Sequence, residues 1–160
     1  MIDSGTAFMF FTTSILLALT PGPDNLFVMT QAAQNGRKAG LLVTLGLCTG
    51  ILVHTTAVTF GLAALFKASE TAFSVLKFAG AGYLLYLAWL SFRAGTASGA
   101  AAVADRLSSA ALYRRGIIMN VTNPKVSVFF LAFLPQFADP SKGLLSLQFM
   151  QLGGLFIIST

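Results

Sequence analysis

The chain has 160 residues, of which 56% are hydrophobic and only 9% charged, with a formal net charge of +5 and a mean hydropathy of +0.80. Soluble domains carry roughly 25% charged residues, so a soluble fold would have too few to clothe its surface. The cations are dispersed and no groove-reading motif accompanies them, so the positive charge does not point to a nucleic-acid partner.

Charged residues are absent between Asp3 and Asp24, Lys38 and Lys67, Lys77 and Arg93, Lys125 and Asp139, and from Gly143 to Thr160. A hydrocarbon core of about 30 Å takes roughly 20 apolar helical residues to cross, and these runs predict an all-α polytopic membrane protein in the lipid bilayer. They are continuous and rich in Leu, Ala and Phe, unlike the alternating segments of a β-barrel. Asp3 is the only early charge, so the basic n-region of a cleavable signal is missing.

In chain order, helix 1 is expected over about 6–33 with a break at 21–24. Helix 2 follows over 40–66, helix 3 over 71–92, helix 4 over 115–136 and helix 5 over 143–160. Asn35-Gly36, Lys67 to Glu70 and Asp139-Pro140-Ser141 supply turns. The Ala/Gly/Ser-rich segment 94–113 reads as a loop. Arg37, Lys38, Arg93, Arg106, Arg114 and Arg115 cluster on one side, which the positive-inside rule makes cytoplasmic, with the N-terminus outside. The fifth run stops without a polar flank, which predicts a truncated helix, and the 160 residues read as one transmembrane domain.

Helix 1 contains "TPGPDNLF". Pro21 and Pro23 each remove a backbone donor and clash with the preceding turn, and the irregular backbone that results is tolerated at membrane depth only inside protein or at a wet cavity. Asp24 beside the break costs a few kcal/mol on insertion scales. With Thr20, Gly22 and Asn25 it predicts a binding site, Pro23 being suited to the first turn of a new half-helix. Thr13, Thr20, Asp24 and Gln31 give the helix a polar stripe. "MNVTNPKVSVFF" repeats the device in helix 4: Asn120, Asn123 and Ser127 share a face, Pro124 interrupts the ladder and Lys125 lies about ten residues into the span.

Aligning Pro23 with Pro124 sets Asp24 opposite Lys125. Helix 4 is the first helix after three spans, so helices 1–3 and 4–6 are expected to form an inverted repeat of three-helix halves, and interrupted helices at matching positions point to a transporter's midplane site. Asp24 and Lys125 either pair with each other, or take separate roles in which Asp24 carries a coupling proton and Lys125 with the asparagines holds substrate. In an unbroken helix Lys125 faces away from Asn123, so both versions require unwinding at Pro124. Cys48 is a lone packing cysteine and His54 a neutral packing histidine. Gly46 and Gly50 form a G-x-x-x-G, and Tyr83, Tyr86 and Trp89 are core or interfacial anchors. One histidine and one deep carboxylate are too few for metal or triad chemistry, so neither an enzyme nor a metal or cofactor is expected.

The run "TPGPDNLFVM", "NGRKAGLLVTLGLCTG", "FAGAGYLLYLAWLSFR" and "NVTNPKVSVFFLAFLPQF" is similar to the LysE/RhtB family of bacterial amino-acid exporters. The resemblance implies an inner-membrane protein of six helices that exports amino acids or relatives such as lysine, arginine, threonine, homoserine or homoserine lactone. An ion gradient, here taken as a proton gradient, would drive it. It implies that Pro21, Gly22, Pro23 and Asp24 occupy the family's first signature and Asn123, Pro124 and Lys125 its second. A homo-oligomer is compatible with it; a membrane-embedded enzyme and a truncated, non-transporting fragment are the alternative readings.

Overall fold

The computed structural model describes residues 1–20, 22–68, 70–93 and 107–160, and among them there is no strand. Helix α1 (Ser4–Leu19) is started by Asp3, whose carboxylate accepts the Thr6 N–H at 2.9 Å. It gives way at Thr20 to extended backbone, and α2 (Pro23–Asn35) begins with proline in its first turn, where the missing N–H costs nothing. The two axes differ by 63°. Gly36 ends α2 at φ 86°, a conformation that favours glycine. Helix α3 (Arg37–Ala68) and α4 (Glu70–Arg93) follow.

Beyond residues 94–106, Ser108 caps α5 (Ser109–Val121), its hydroxyl accepting the Ala111 N–H. The helix therefore starts six residues before the expected 115, and the loop expected over 94–113 ends correspondingly early; its residues 94–106 lie outside the described residues. Helix α6 (Pro124–Val128) restarts after Asn123 and runs on through a π-helical turn, Phe129–Phe133, and a 3₁₀ turn, Leu134–Phe137. Pro140–Lys142 forms another 3₁₀ turn before α7 (Leu145–Ser159). Arg37–Gly61 and Thr71–Leu90 are each long and apolar enough to cross a membrane, and each bent pair, Ser4–Leu19 with Pro23–Asn35 and Ser109–Val121 with Pro124–Phe137, qualifies as a broken span. The chain is an all-α, polytopic membrane protein.

Helix α3 is the mast against which α2, α5 and α7 pack. Burial of apolar surface gives membrane helices little reason to associate, so close backbone approach has to supply the contact. The Gly46/Gly50 pair does this. A Cβ on Gly46 would run into the Tyr113 carbonyl and Gly116 of α5, and one on Gly116 would meet the Val43 carbonyl and Gly46. One turn further, Asn120 fills the notch that Gly50 leaves. Thr49 and Tyr113 share a hydroxyl hydrogen bond of 2.9 Å alongside. Gly153 of α7 accommodates Thr55 of α3, and Gly80 of α4 accommodates Ala132 of the π-turn. Around these crossings Phe10, Phe129, Phe130, Phe149 and Phe156 form the main core, with the Phe129 and Phe156 rings 5.0 Å apart. Val75, Phe78, Leu85, Trp89 and Phe92 of α4 remain exposed, as on a lipid-facing helix, and Arg93 lies over the Trp89 ring at 5.6 Å.

One end of the molecule is tied by polar contacts. Lys142 pairs with Asp3 at 2.8 Å, and buried Gln148 accepts from the Asp139 N–H while donating to the Asp139 and Gly143 carbonyls. The Lys142 hydrogen bond, aided by the Thr6 N–H and hydroxyl, holds the Asp3 carboxyl well below the ordinary carboxylate range. A depressed acid contributes stability that is complete above its unfolded pKa and is lost only as pH falls through the folded value. Asp3→Asn should therefore lower Tm by the same amount at pH 7 and at pH 5. A variant whose Tm matches that of the parent at both pH values would show the pair to be unformed.

The glycine crossing makes a stronger prediction. Gly116→Leu overpacks α5 against α3 and should cost about 1–3 kcal/mol, read as a lower Tm in detergent. Gly82→Ala, at a position with open space around it, should leave Tm unchanged or slightly raised.

Candidate functional site

The first break frees the carbonyls that end α1, and four of them find partners. The Leu16 carbonyl accepts from the Thr20 hydroxyl at 3.0 Å and that of Leu17 from the Thr20 N–H at 3.2 Å. Ala18 O accepts from the Asn25 side-chain amide at 2.8 Å. Thr20 O accepts from the Lys125 ammonium, also at 2.8 Å, across 105 residues of sequence. A cation at a helix C-terminus meets the negative end of its dipole, so Lys125 both satisfies an orphan carbonyl and sits where its charge is stabilised.

Asp24 occupies the first turn of α2, the end that favours an anion. It is 8% exposed, and its Oδ1 is buried without a hydrogen-bond partner. Gly22 lies between it and Lys125. A Cβ on that glycine would stand 2.6 Å from Asp24 Oδ1 and 3.7 Å from Lys125 Nζ. The two charges thus border the same residue without forming an ion pair such as that of Asp3 with Lys142.

At the second break the helix unwinds over Thr122 and Asn123, as the opposed faces of Asn123 and Lys125 require. Asn123 takes extended backbone angles and caps α6, its Oδ1 accepting the Lys125 N–H at 3.0 Å. Its Nδ2 is buried and unpartnered, as is Asn120 Oδ1. Burying such groups without partners costs about 1–3 kcal/mol each. Unpartnered buried atoms in a native site are places for a ligand, an ion or water. His54 Nε2 lies 3.2 Å from the Asn120 carbonyl, and its ring stacks at 5.5 Å from Phe130, which makes it a link between α3 and α5.

The two breaks enclose one cavity of about 230 Å³. Thr20, Gly22 and Pro23 line it from the first break, and Asn123, Pro124 and Lys125 from the second. Leu17 and, from α4, Leu84, Leu87, Ala88 and Leu90 complete it as an apolar wall. Six of the ten expected site residues therefore meet in one space. Asp24 stands behind Gly22 rather than on the lining, Asn25 is spent on the Ala18 carbonyl, Asn120 points into the Gly50 notch, and Pro21 lies outside the described residues. The stripe through helix 1 divides: Thr13 and Thr20 bond back to their own helix, while buried Gln31 accepts from Asn35. The α4 wall is the part that sequence reasoning missed, because leucines and alanines facing a cavity and facing lipid are the same letters.

The LysE type translocator family model matches residues 15–160, a range that contains both breaks and the cavity between them. The chain belongs to this family. Over 151 residues this LysE-type chain is 38% identical to the homoserine/homoserine lactone efflux protein of Salmonella typhimurium, covering 94% of itself and 73% of that protein. It is 34% identical over 127 residues to the leucine efflux protein of Salmonella choleraesuis, covering 79% of itself and 60% of that protein. An uncharacterized membrane protein of Vibrio cholerae is 33% identical over 133 residues, with 83% and 65% covered. No solved structure matches the chain.

The role of Asn25 is directly testable. Asn25→Leu strands the Ala18 carbonyl and should cost about 1–3 kcal/mol, seen as a lower Tm of the purified protein. Asn25→Asp sets an acceptor against that carbonyl and should not rescue it. A Tm unchanged in both variants would remove Asn25 from the architecture of the break.

Proposed function

We propose that this chain forms the substrate-binding part of a secondary exporter. It would carry amino acids or close derivatives out across the bacterial inner membrane, driven by an ion gradient, with the N-terminus outside. The observation that carries the proposal is the Lys125–Thr20 bond across a cavity shared by two broken helices. Family membership and the names of its relatives, efflux proteins for homoserine or its lactone and for leucine, support the substrate class. The chain spans 60–73% of the length of these named relatives, and the whole protein's transport cycle is part of the proposal.

The chemistry is an exchange of ammonium groups. In the empty site the Lys125 ammonium occupies the Thr20 carbonyl. An entering amino acid places its own α-ammonium there, at the negative end of the α1 dipole, and its carboxylate draws Lys125 away as a charge-assisted partner. Asn123 Nδ2, which lacks a partner, donates to the same carboxylate. Because Lys125 belongs to one half of the molecule and Thr20 to the other, substrate binding replaces a direct bond between the halves with a bridged one. That gives the ligand a differential interaction with two conformations, which is what moving the equilibrium between them requires.

Asp24 is assigned the coupling proton. Its unpartnered oxygen is expensive as a carboxylate at membrane depth, and it adjoins the site without lining it, so a proton bound there alters the field at Lys125 without competing for substrate space. Efflux from preloaded cells, and exchange in proteoliposomes, test the division of labour. Lys125→Met should abolish both gradient-driven efflux and exchange. Asp24→Asn should lose gradient-driven efflux at least tenfold while keeping exchange. Equal loss of both activities in Asp24→Asn would remove its separate role, and unimpaired transport by Lys125→Met would refute the site.

A further inference from the structure

On the reading just given, the site also specifies the side chain of its substrate. The cavity has two chemically different walls. Thr20, Asn123 and Lys125 present the polar groups, all within reach of an amino acid's two charged ends. The face opposite is hydrocarbon: Leu17 of α1 with Leu84, Leu87 and Ala88 of α4. Leu84, Leu87 and Ala88 fall at i, i+3 and i+4, one face of a single helix, and α4 is held in place below them by the Gly80–Ala132 contact. Among the described residues no acidic side chain lines the space, Asp24 lying off the lining beside Gly22.

We propose that the substrate carries a small, neutral and mainly apolar side chain, and that Leu84, Leu87 and Ala88 select it. A lysine- or arginine-like side chain laid on the α4 wall would set a second cation against leucines, on a face that carries no carboxylate. A glutamate-like one would bury an unpaired anion, because the ammonium of Lys125 is engaged by the α-carboxylate. Unpaired charge in such surroundings is strongly disfavoured, whereas branched hydrocarbon on the same wall releases water. The volume of about 230 Å³ lies below the roughly 300–1,000 Å³ of clefts that hold drug-sized ligands, which limits the substrate to a small molecule. Ala88 is the shortest side chain on the apolar wall, so it sets the depth available.

The test is ligand-induced stabilisation of the purified protein in detergent, titrated with glycine, alanine, valine, leucine, lysine, arginine and glutamate. Leucine and valine should reach half-maximal stabilisation at concentrations at least about tenfold lower than lysine, arginine or glutamate. Ala88→Phe should weaken leucine more than glycine. Ala88→Glu should invert the order of leucine and lysine, with retained glycine binding certifying that the variant is folded. Equal stabilisation by leucine and lysine overturns the inference, as does an order left unchanged in an Ala88→Glu protein that still binds glycine. Lys125→Met separates this result from the underlying reading. If every amino acid stabilises the protein, Lys125→Met removes all of them and the order ignores side-chain charge, only the selectivity falls. If no amino acid stabilises it, the binding site and its selectivity fall together.

Discussion

The bond from the Lys125 ammonium to the Thr20 carbonyl joins two interruptions that lie 105 residues apart. Each interruption by itself is a liability: a proline deletes a donor, the preceding turn is left with free carbonyls, and no water is at hand in hydrocarbon to satisfy them. The chain answers by letting each break repair the other. Asn25 closes the Ala18 carbonyl from within the first half, Asn123 closes the Lys125 N–H within the second, and Lys125 crosses between them. Among the described residues, what remains unsatisfied after this repair is Asp24 Oδ1, Asn123 Nδ2 and Asn120 Oδ1, and of the three only Asn123 lines the cavity.

Such a bond depends on backbones held at close quarters. The Gly46–Gly116 crossing and the Asn120–Gly50 fit bring α5 against α3, which fixes the level at which α6 restarts. The π-turn Phe129–Phe133 then carries an extra residue per turn and presents Ala132 to Gly80, which seats α4 over the breaks. Enlarging any of these small residues would displace a break before it disturbed the bulk of the aromatic core. Packing and polar repair are in this sense one system: the glycines set the distance over which a lysine side chain has to reach.

The proline motifs were legible in the sequence because their chemistry is local. Pro23 and Pro124 each begin a half-helix as their fixed φ and missing N–H dictate, and the long uncharged runs became helices. The sequence set Asp24 opposite Lys125 but could not show that the Lys125 ammonium bonds to the Thr20 carbonyl instead of forming an ion pair with Asp24, since that depends on where the carbonyls of the first break point. Asn25 read as a ligand because an asparagine beside a break looks the same whether it meets substrate or a stranded carbonyl; only the position of the Ala18 carbonyl decides. Ser108 as the start of α5 was hidden in a segment where small residues and serines are common. The α4 wall was hidden for a deeper reason, because apolar periodicity does not distinguish a cavity from lipid.

The central claim is that Lys125 leaves Thr20 for the substrate. The accepting group is the main-chain carbonyl of Thr20, which no side-chain substitution removes, so the direct observation is spectroscopic: the ¹⁵Nζ resonance of Lys125, assigned by its loss in Lys125→Met and followed by solid-state NMR as amino acid is added. The account predicts a saturable shift of this resonance together with appearance of a through-space contact to the ¹³C-labelled carboxylate of the ligand and loss of the contact to the ¹³C-labelled Thr20 carbonyl. A Lys125 ammonium that keeps its Thr20 contact in the saturated protein, with no contact to the ligand carboxylate, would contradict it.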